Sequence, residues 1–292
     1  MNNALNIVVL AKQVPDTRQV GKDAMTAEGT VNRAALPAIF NPEDLNALEM
    51  ALSIKERVAG SQVYLLTMGP ARAADIIREA MYRGADGGYL LSGREFAGSD
   101  TLATSYALAC ALKKINPDMV IAGRQAIDGD TAQVGPQVAE KLQLPQVTYA
   151  EEVVEIDTKR IVVRRRIESG VETVEAPLPL VLTVNGSAAP CRPRNAKRLM
   201  KYKAARTASE LTIEKSEVLV RRVEQLPELR ITEWGVADIT PDADQLGFAG
   251  SPTKVKRIEN VVFQAKEAKR LDCSDEALEG LIQELIAAHT IG

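Results

Sequence analysis

The 292-residue chain is 46% hydrophobic and 26% charged with a formal net charge of -3, so it can bury one large core or two small ones and has no overall pull on nucleic acid. Aromatic residues make up only 4%, against a series of base-stacking platforms, and the single histidine, His289, excludes a multi-histidine metal centre and argues against a Ser-His-Asp or Cys-His nucleophile. Cys110, Cys191 and Cys273 form neither a CxxC pair nor a disulfide framework, the start lacks a secretory leader, and no apolar run is long enough to span a bilayer, so a cytoplasmic protein without a membrane span is expected.

The first half alternates strand and helix signals. Residues 7–11 are a short apolar run rich in β-branched side chains, as in a buried parallel strand. Residues 15–40 are irregular, and Gly21 and Gly29 fit turns of a hairpin. Asn41-Pro42-Glu43-Asp44 opens a helix: Asn41 suits the N-cap, Pro42 the first helical position, and the acids the positive end of the dipole. Leu45, Leu48 and Leu52 share one face, and Gly60 is the expected stop. A strand over 63–67, a helix over 71–83 stopped by Gly84, and a strand over 88–91 follow. Ser99-Asp100 caps a helix running to Ile115, residues 118–122 form the next strand, and Asp130 or Thr131 begins a helix through Leu142. This repetition predicts an α/β fold, a doubly wound, mostly parallel sheet covered on both faces.

After Pro145 the pattern changes. Strand-like runs at 152–156, 161–167 and 180–184, broken by Asp157-Thr158-Lys159 and Glu168-Ser169-Gly170, predict antiparallel hairpins added to the sheet. Residues 190–206 are strongly basic. The tail from Leu211 is less regular, with Gly247, Gly250 and Pro252 marking loops, and ends in an amphipathic helix carrying Leu278, Leu281, Ile282, Leu285 and Ile286 on one side.

In a doubly wound sheet, ligands sit outside the carboxyl ends of the strands. Lys12-Gln13-Val14-Pro15-Asp16, after the first strand, contains no GxGxxG fingerprint. In Met68-Gly69-Pro70 a glycine permits close backbone approach. The richest segment is Gly123-Arg124-Gln125-Ala126-Ile127-Asp128-Gly129-Asp130-Thr131-Ala132-Gln133-Val134-Gly135-Pro136. Its glycines let N–H groups turn inward, Thr131 supplies a hydroxyl, and a helix N-terminus follows, which suits a phosphate or pyrophosphate. Asp128 and Asp130 oppose an anion unless they point away or cap N–H groups, so the segment reads equally as an ordinary capped loop. Other features have plain readings. Asn41 is a helix cap first and a ligand contact second; Asp100, Thr101 and Thr104 cap and line a helix; Cys110 and Met68 pack; His289 decorates the last helical turn. The basic run reads as a solvated face, with an acidic or phosphate-bearing partner as the sharper alternative.

The order and spacing of several segments resemble the β subunit of electron transfer flavoproteins, including the nitrogen-fixation-associated branch. The resemblance covers nearly the whole chain. It rests on Val9-Leu10-Ala11-Lys12-Gln13-Val14-Pro15-Asp16, Asn41-Pro42-Glu43-Asp44 followed by Ala47-Leu48-Glu49, Thr67-Met68-Gly69-Pro70, Gly84-Ala85-Asp86 and Gly123-Arg124-Gln125-Ala126-Ile127-Asp128-Gly129-Asp130. Arg164-Arg165-Arg166-Ile167-Glu168-Ser169-Gly170-Val171-Glu172, leading to Pro179-Leu180-Val181-Leu182-Thr183, adds a later signature.

The resemblance implies a heterodimer with an α subunit carrying FAD, and an adenine nucleotide in this subunit. That nucleotide is structural AMP in simple members and a second FAD in electron-bifurcating members. In the latter, NADH reduces the flavin of this subunit; one electron passes to the α-subunit FAD and a dehydrogenase, the other to low-potential ferredoxin or flavodoxin. Phe96-Ala97-Gly98-Ser99-Asp100-Thr101 and residues 128–136 resemble the bifurcating type. The implied cofactor contacts are Leu10, Asn41, Asp44, Met68, and Gln125, Ala126, Ile127, Asp128, Gly129, Asp130, Thr131, Ala132, Gln133, Val134 and Gly135, with the backbone of 129–134 and Thr131 nearest the phosphates. Asp100, Thr101 and Thr104 are the expected neighbours of an isoalloxazine. Arg194, Ala196, Lys197, Arg198 and Lys201 fall on the loop that recognises partner dehydrogenases; Ala196 replaces the family's leucine anchor, which implies a different or fused acceptor contacted more electrostatically. The expected division is a nucleotide-binding domain over 1–206 and an arm over 207–292 that wraps the α subunit. The competing readings are an AMP-binding, non-bifurcating subunit and a stand-alone nucleotide-binding module of the stress-protein kind. The equipment after residue 150 exceeds what such a module needs. RNA binding through the basic segment fits poorly with the acidic balance and few aromatics.

Overall fold

The computed structural model of the chain describes residues 4–16, 37–253, 270–272 and 274–287. In chain order the elements are β1 (Asn6–Leu10), β2 (Gln13–Pro15), β3 (Ala38–Phe40), α1 (Pro42–Arg57), β4 (Gln62–Met68), α2 (Ala74–Arg83), β5 (Gly87–Leu91), α3 (Thr101–Ile115), β6 (Met119–Gly123) and α4 (Val134–Leu142). They continue with β7 (Gln146–Ile156), β8 (Arg160–Ile167), β9 (Gly170–Pro177), β10 (Leu180–Val184), α5 (Ala196–Tyr202), α6 (Ala208–Ile213), α7 (Glu217–Gln225), β11 (Thr232–Trp234), α8 (Val236–Ile239) and α9 (Asp275–Ala287).

β1 is buried on both faces, which is why it reads as an unbroken apolar run. Ile7 and Val9 enter one apolar cluster with Leu48 and Ile54 of α1 and Ile77 and Met81 of α2. Val8 and Leu10 enter a second with Leu108 and Leu112 of α3 and Val138 of α4. Helices therefore cover both faces of a nine-stranded sheet with the order β11-β5-β4-β1-β6-β10-β7-β8-β9. All pairings from β11 to β7 are parallel; β7-β8 and β8-β9 are antiparallel. The chain steps from β1 to β4 and β5 in one direction, then returns to the far side of β1 for β6. The winding reverses between β1 and β6, and a crevice opens at their carboxyl ends.

Four expectations are corrected. Residues 180–184 are not part of a hairpin: β10 inserts in parallel between β6 and β7, and burial of all five residues explains its apolar run. α4 begins at Val134, because Asp130 and Ala132 take positive φ (51° and 53°) and cannot start a helix. α1 ends at Arg57, before Gly60, which sits in the following turn at φ 82°. Residues 71–73 form a 3-10 turn before α2. The hairpin expected over 15–40 is met by β2 pairing antiparallel with β3; Gly21 and Gly29 lie outside the described residues, as do His289 and Cys273.

Much of the basic run is tied to the chain itself, while Lys197 and Lys203 remain exposed. Arg192 pairs with Glu49 at 2.9 Å and with Glu56, both on α1, and Arg194 pairs with Glu79 of α2 at 2.7 Å. Arg198 donates to the carbonyls of Met81 (2.7 Å) and Ala85 at the end of α2, where a cation also complements the helix dipole. Lys201 pairs with Glu228 at 3.2 Å. Burial beside this cluster pushes the Cys191 thiol up to about 11, leaving it protonated at neutral pH. Cys110 is half-buried against the second cluster.

The chain forms two compact units, Met1–Lys256 and Arg257–Gly292. β11 pairs with β5, so residues beyond 206 also build the first unit. In the second, α9 leaves Leu278, Ile282 and Ile286 about half exposed. Among the described residues no helix is long and apolar enough to cross a membrane.

Replacing Arg198 by alanine removes two charge-assisted bonds, one to the last turn of α2 and one to the turn that follows it. The expected loss is about 2 kcal/mol of unfolding free energy, read from urea denaturation.

Candidate functional site

A cavity of about 850 Å³ lies across the carboxyl ends of β5, β4, β1 and β6, spanning the winding reversal. That is the upper part of the roughly 300–1,000 Å³ range of small-molecule sites. Leu10, Leu66, Met68, Phe96 and Leu108 make much of its wall apolar.

The start of α1 holds the cavity's most polar wall together. Asp44 Oδ2 accepts the Lys12 N–H at the end of β1 (2.8 Å), and Oδ1 accepts the Gly123 N–H at the end of β6 (3.2 Å). Glu43 accepts the Gln125 N–H at 3.1 Å and pairs with Arg124 at 2.8 Å. Asn41, fully buried, donates Nδ2 to the Gln125 carbonyl (2.8 Å) and accepts the Ile127 N–H on Oδ1 (3.1 Å). Its side chain makes no helix-cap bond; only its backbone carbonyl serves the first turn of α1. The cap reading of that side chain is therefore replaced by a clamp on the loop after β6. Gly123 is required by the same contact: a Cβ there would lie 2.4 Å from Asp44 Oδ1 and 2.7 Å from the Glu43 carbonyl carbon.

The two aspartates of the loop are already engaged. Asp128 pairs with Lys12 Nζ at 2.7 Å, and Asp130 accepts from Gln125 Nε2 at 2.9 Å. Neither is left as a bare charge against an anion. Positive φ at Asp130 and Ala132 turns the backbone into the start of α4, whose first N–H groups have no intrahelical acceptor. Pro136 forms part of that first turn without adding a donor. Gly135 lets α4 press onto β10, since a Cβ would lie 2.6 Å from Thr183 Cγ2.

The opposite wall is the start of α3. Asp100 accepts the N–H groups of Leu102 (2.9 Å), Ala103 (3.0 Å) and Thr253 (3.1 Å). Burial acts to raise its pKa, but these donors outweigh it and hold the carboxyl below its usual range. Thr101 Oγ1 donates to Gln133 Oε1 at 2.7 Å, joining the α3 and α4 walls.

Among the sequence-predicted contacts, Leu10, Asp44, Met68, Asp100, Thr101, Thr104, Gln125, Ala126 and 129–135 line one cavity. Asn41, Ile127 and Asp128 do not; they hold the loop from behind. Lys12, Leu66, Gly69, Gly93, Arg94 and Arg124 also line it and were absent from the predicted set. The available signal was position, since each lies at the carboxyl end of a strand or just past it. Of the predicted partner-facing residues, Arg194, Arg198 and Lys201 are engaged within the chain, whereas Lys197 makes no ion pair among the described residues and Ala196 is exposed. Among the described residues no cluster of three or more His, Cys, Asp or Glu side chains is placed to hold a metal.

Comparison with known proteins matches residues 28–218 to the electron transfer flavoprotein domain. The chain is 40% identical over 289 residues to the electron transfer flavoprotein subunit beta of Thermoanaerobacterium thermosaccharolyticum, covering 98% of this chain and 100% of that protein. It is 42% identical over 254 residues to the caffeyl-CoA reductase-Etf complex subunit CarD of Acetobacterium woodii, covering 87% of each. It is 39% identical over 292 residues to protein FixA of Sinorhizobium fredii, covering 97% of this chain and 93% of that one.

Two outcomes follow from the clamp. Asn41→Ala orphans a carbonyl and an N–H in the loop, at an expected cost of about 2 kcal/mol in urea denaturation. Burial, opposed by the bonds from Lys12, Asn41 and Gly123, pushes the Asp44 carboxyl up to about 7. The folded state then keeps a proton that the unfolded chain releases, so this residue's contribution to stability is full below pH 3.8 and is lost as pH rises to about 7. Unfolding free energy of Asp44→Asn, measured from pH 4 to 8, is expected to fall less steeply over that window than wild type.

Proposed function

The chain belongs to the electron transfer flavoprotein family, as a relative of its β subunits, and on that premise we propose that it binds FAD in the cavity at the carboxyl ends of β5, β4, β1 and β6. Electrons from NADH enter there and pass toward the FAD of an α subunit, and onward to a dehydrogenase and to low-potential ferredoxin or flavodoxin. The observation that carries the reading is one continuous cavity that joins an apolar section at the ends of β4 and β5 to the N-terminus of α4. A dinucleotide needs both a dry section for its ring system and a donor-rich section for its pyrophosphate. Relatives named as a subunit of a caffeyl-CoA reductase-Etf complex and as FixA favour the bifurcating reading.

The bound flavin would supply the redox chemistry; no side chain need act as nucleophile or general acid. This chain's residues bind and orient. Asn41, Glu43 and Asp44 set the loop over 123–127, while Asp130, Ala132 and the start of α4 direct N–H groups toward phosphate oxygens. Thr101 and Gln133 join the two walls, and Leu10, Leu66, Met68 and Phe96 keep water from the apolar section. An α subunit would meet α9 and the residues after 206, and the dehydrogenase the surface around Ala196 and Lys197. These roles fit a cytoplasmic, NADH-linked electron carrier.

The purified complex is denatured, and released nucleotides are counted per heterodimer. Two FAD and no AMP is the expected result. One FAD with one AMP makes this subunit a structural nucleotide binder, and a colourless homodimer without flavin returns the reading to a stand-alone nucleotide module.

A further inference from the structure

Asp44 borders the cavity with its carboxyl almost wholly out of water, yet among the described residues no ammonium or guanidinium is committed to it. Lys12 meets it only through its backbone N–H, because the Lys12 ammonium rests on Asp128. Arg124, one residue past Gly123, turns its guanidinium to Glu43. Glu43 itself, next on α1, adds a like charge. On the loop beyond β6, Asp130 is bonded to Gln125, and no second cation on that loop is available. The carboxyl is therefore held by neutral donors alone, in the wall of the same cavity whose far side is the start of α4.

We propose that an anionic nucleotide entering this cavity brings one proton from solvent onto Asp44, so that the complex holds this residue as the neutral acid. The inference rests on the reading that the cavity takes an adenine nucleotide, and it holds for AMP and FAD alike. A second negative charge in a poorly hydrated site disfavours the carboxylate, whereas the acid keeps one of the two N–H groups on its carbonyl oxygen and the other, more weakly, on its hydroxyl oxygen. It also gains an O–H donor, which favours nucleotides that place an acceptor there. The carboxyl already stands near its neutral form, pushed up to about 7 by burial, so the coupling falls in the physiological range.

The test uses the full-length protein with whichever partner subunit it brings, after its own nucleotide has been dialysed away. FAD and AMP are titrated by calorimetry near pH 8 in two buffers of different ionisation enthalpy. Wild type is expected to take up about one proton per nucleotide, and its affinity to fall about tenfold per pH unit above neutrality. In Asp44→Asn both effects are expected to vanish. Asp44→Ser, which still accepts an N–H, serves if the Asn variant does not fold. Binding without proton uptake in wild type, or equal uptake in a folded variant, overturns the proposal while leaving the nucleotide site intact. Failure of both nucleotides to bind overturns the underlying reading, and this proposal with it.

Discussion

One carboxylate joins the two strands between which the sheet reverses its winding. Asp44 accepts the first free N–H past β1 and the N–H of the last residue of β6, so the floor of the cavity is closed from the start of α1 rather than by the strands themselves. Glu43 and Asn41 extend the same grip along the next four residues. The loop over 124–133 then leaves the sheet in a defined direction, takes positive φ at two non-glycine residues, and delivers the start of α4 to the cavity wall. Backbone strain of that kind persists only where the surroundings over-determine it. Here Asp130 is tied to Gln125, and Gln133 to Thr101, on either side of the strained residues. The requirement for glycine at 123 follows from the close approach of Glu43 and Asp44.

Much of this was legible in the amino-acid sequence. Strands buried on both faces announced themselves as apolar runs, and Asp100 was visible as a helix cap because capping is local. The long-range parts were not legible. Asn41-Pro42-Glu43-Asp44 has the composition of a capped helix start, yet Asn41, Glu43 and Asp44 spend their side chains on a loop about 80 residues away in sequence, a use no local rule reveals. β10 looked like a hairpin strand because the strands just before it in sequence pair antiparallel; only its complete burial, seen once folded, separates it from them. The late start of α4 depended on backbone angles that Asp and Ala adopt reluctantly.

The basic run carries a related lesson about charge. Seven cations within 192–206 read as a solvated face, with a partner surface as the sharper alternative, but acids on α1 and α2 take up two of them, Arg192 and Arg194. Glu49 and Glu56 stand seven residues apart on one face of α1, and that spacing was the available signal for an internal staple. The short helix α5 is held at its root by Arg198 and displays Lys197 and Met200 to solvent.

We propose the cavity at the winding reversal as the nucleotide site. An experimental structure of the purified complex with its α subunit tests it most directly. A nucleotide is expected in this chain between residues 10–12, 68–70 and 125–135, with its phosphates against the start of α4 and Asn41 behind the loop rather than on the ligand. A complex with flavin in the α subunit and no nucleotide between those segments would contradict it.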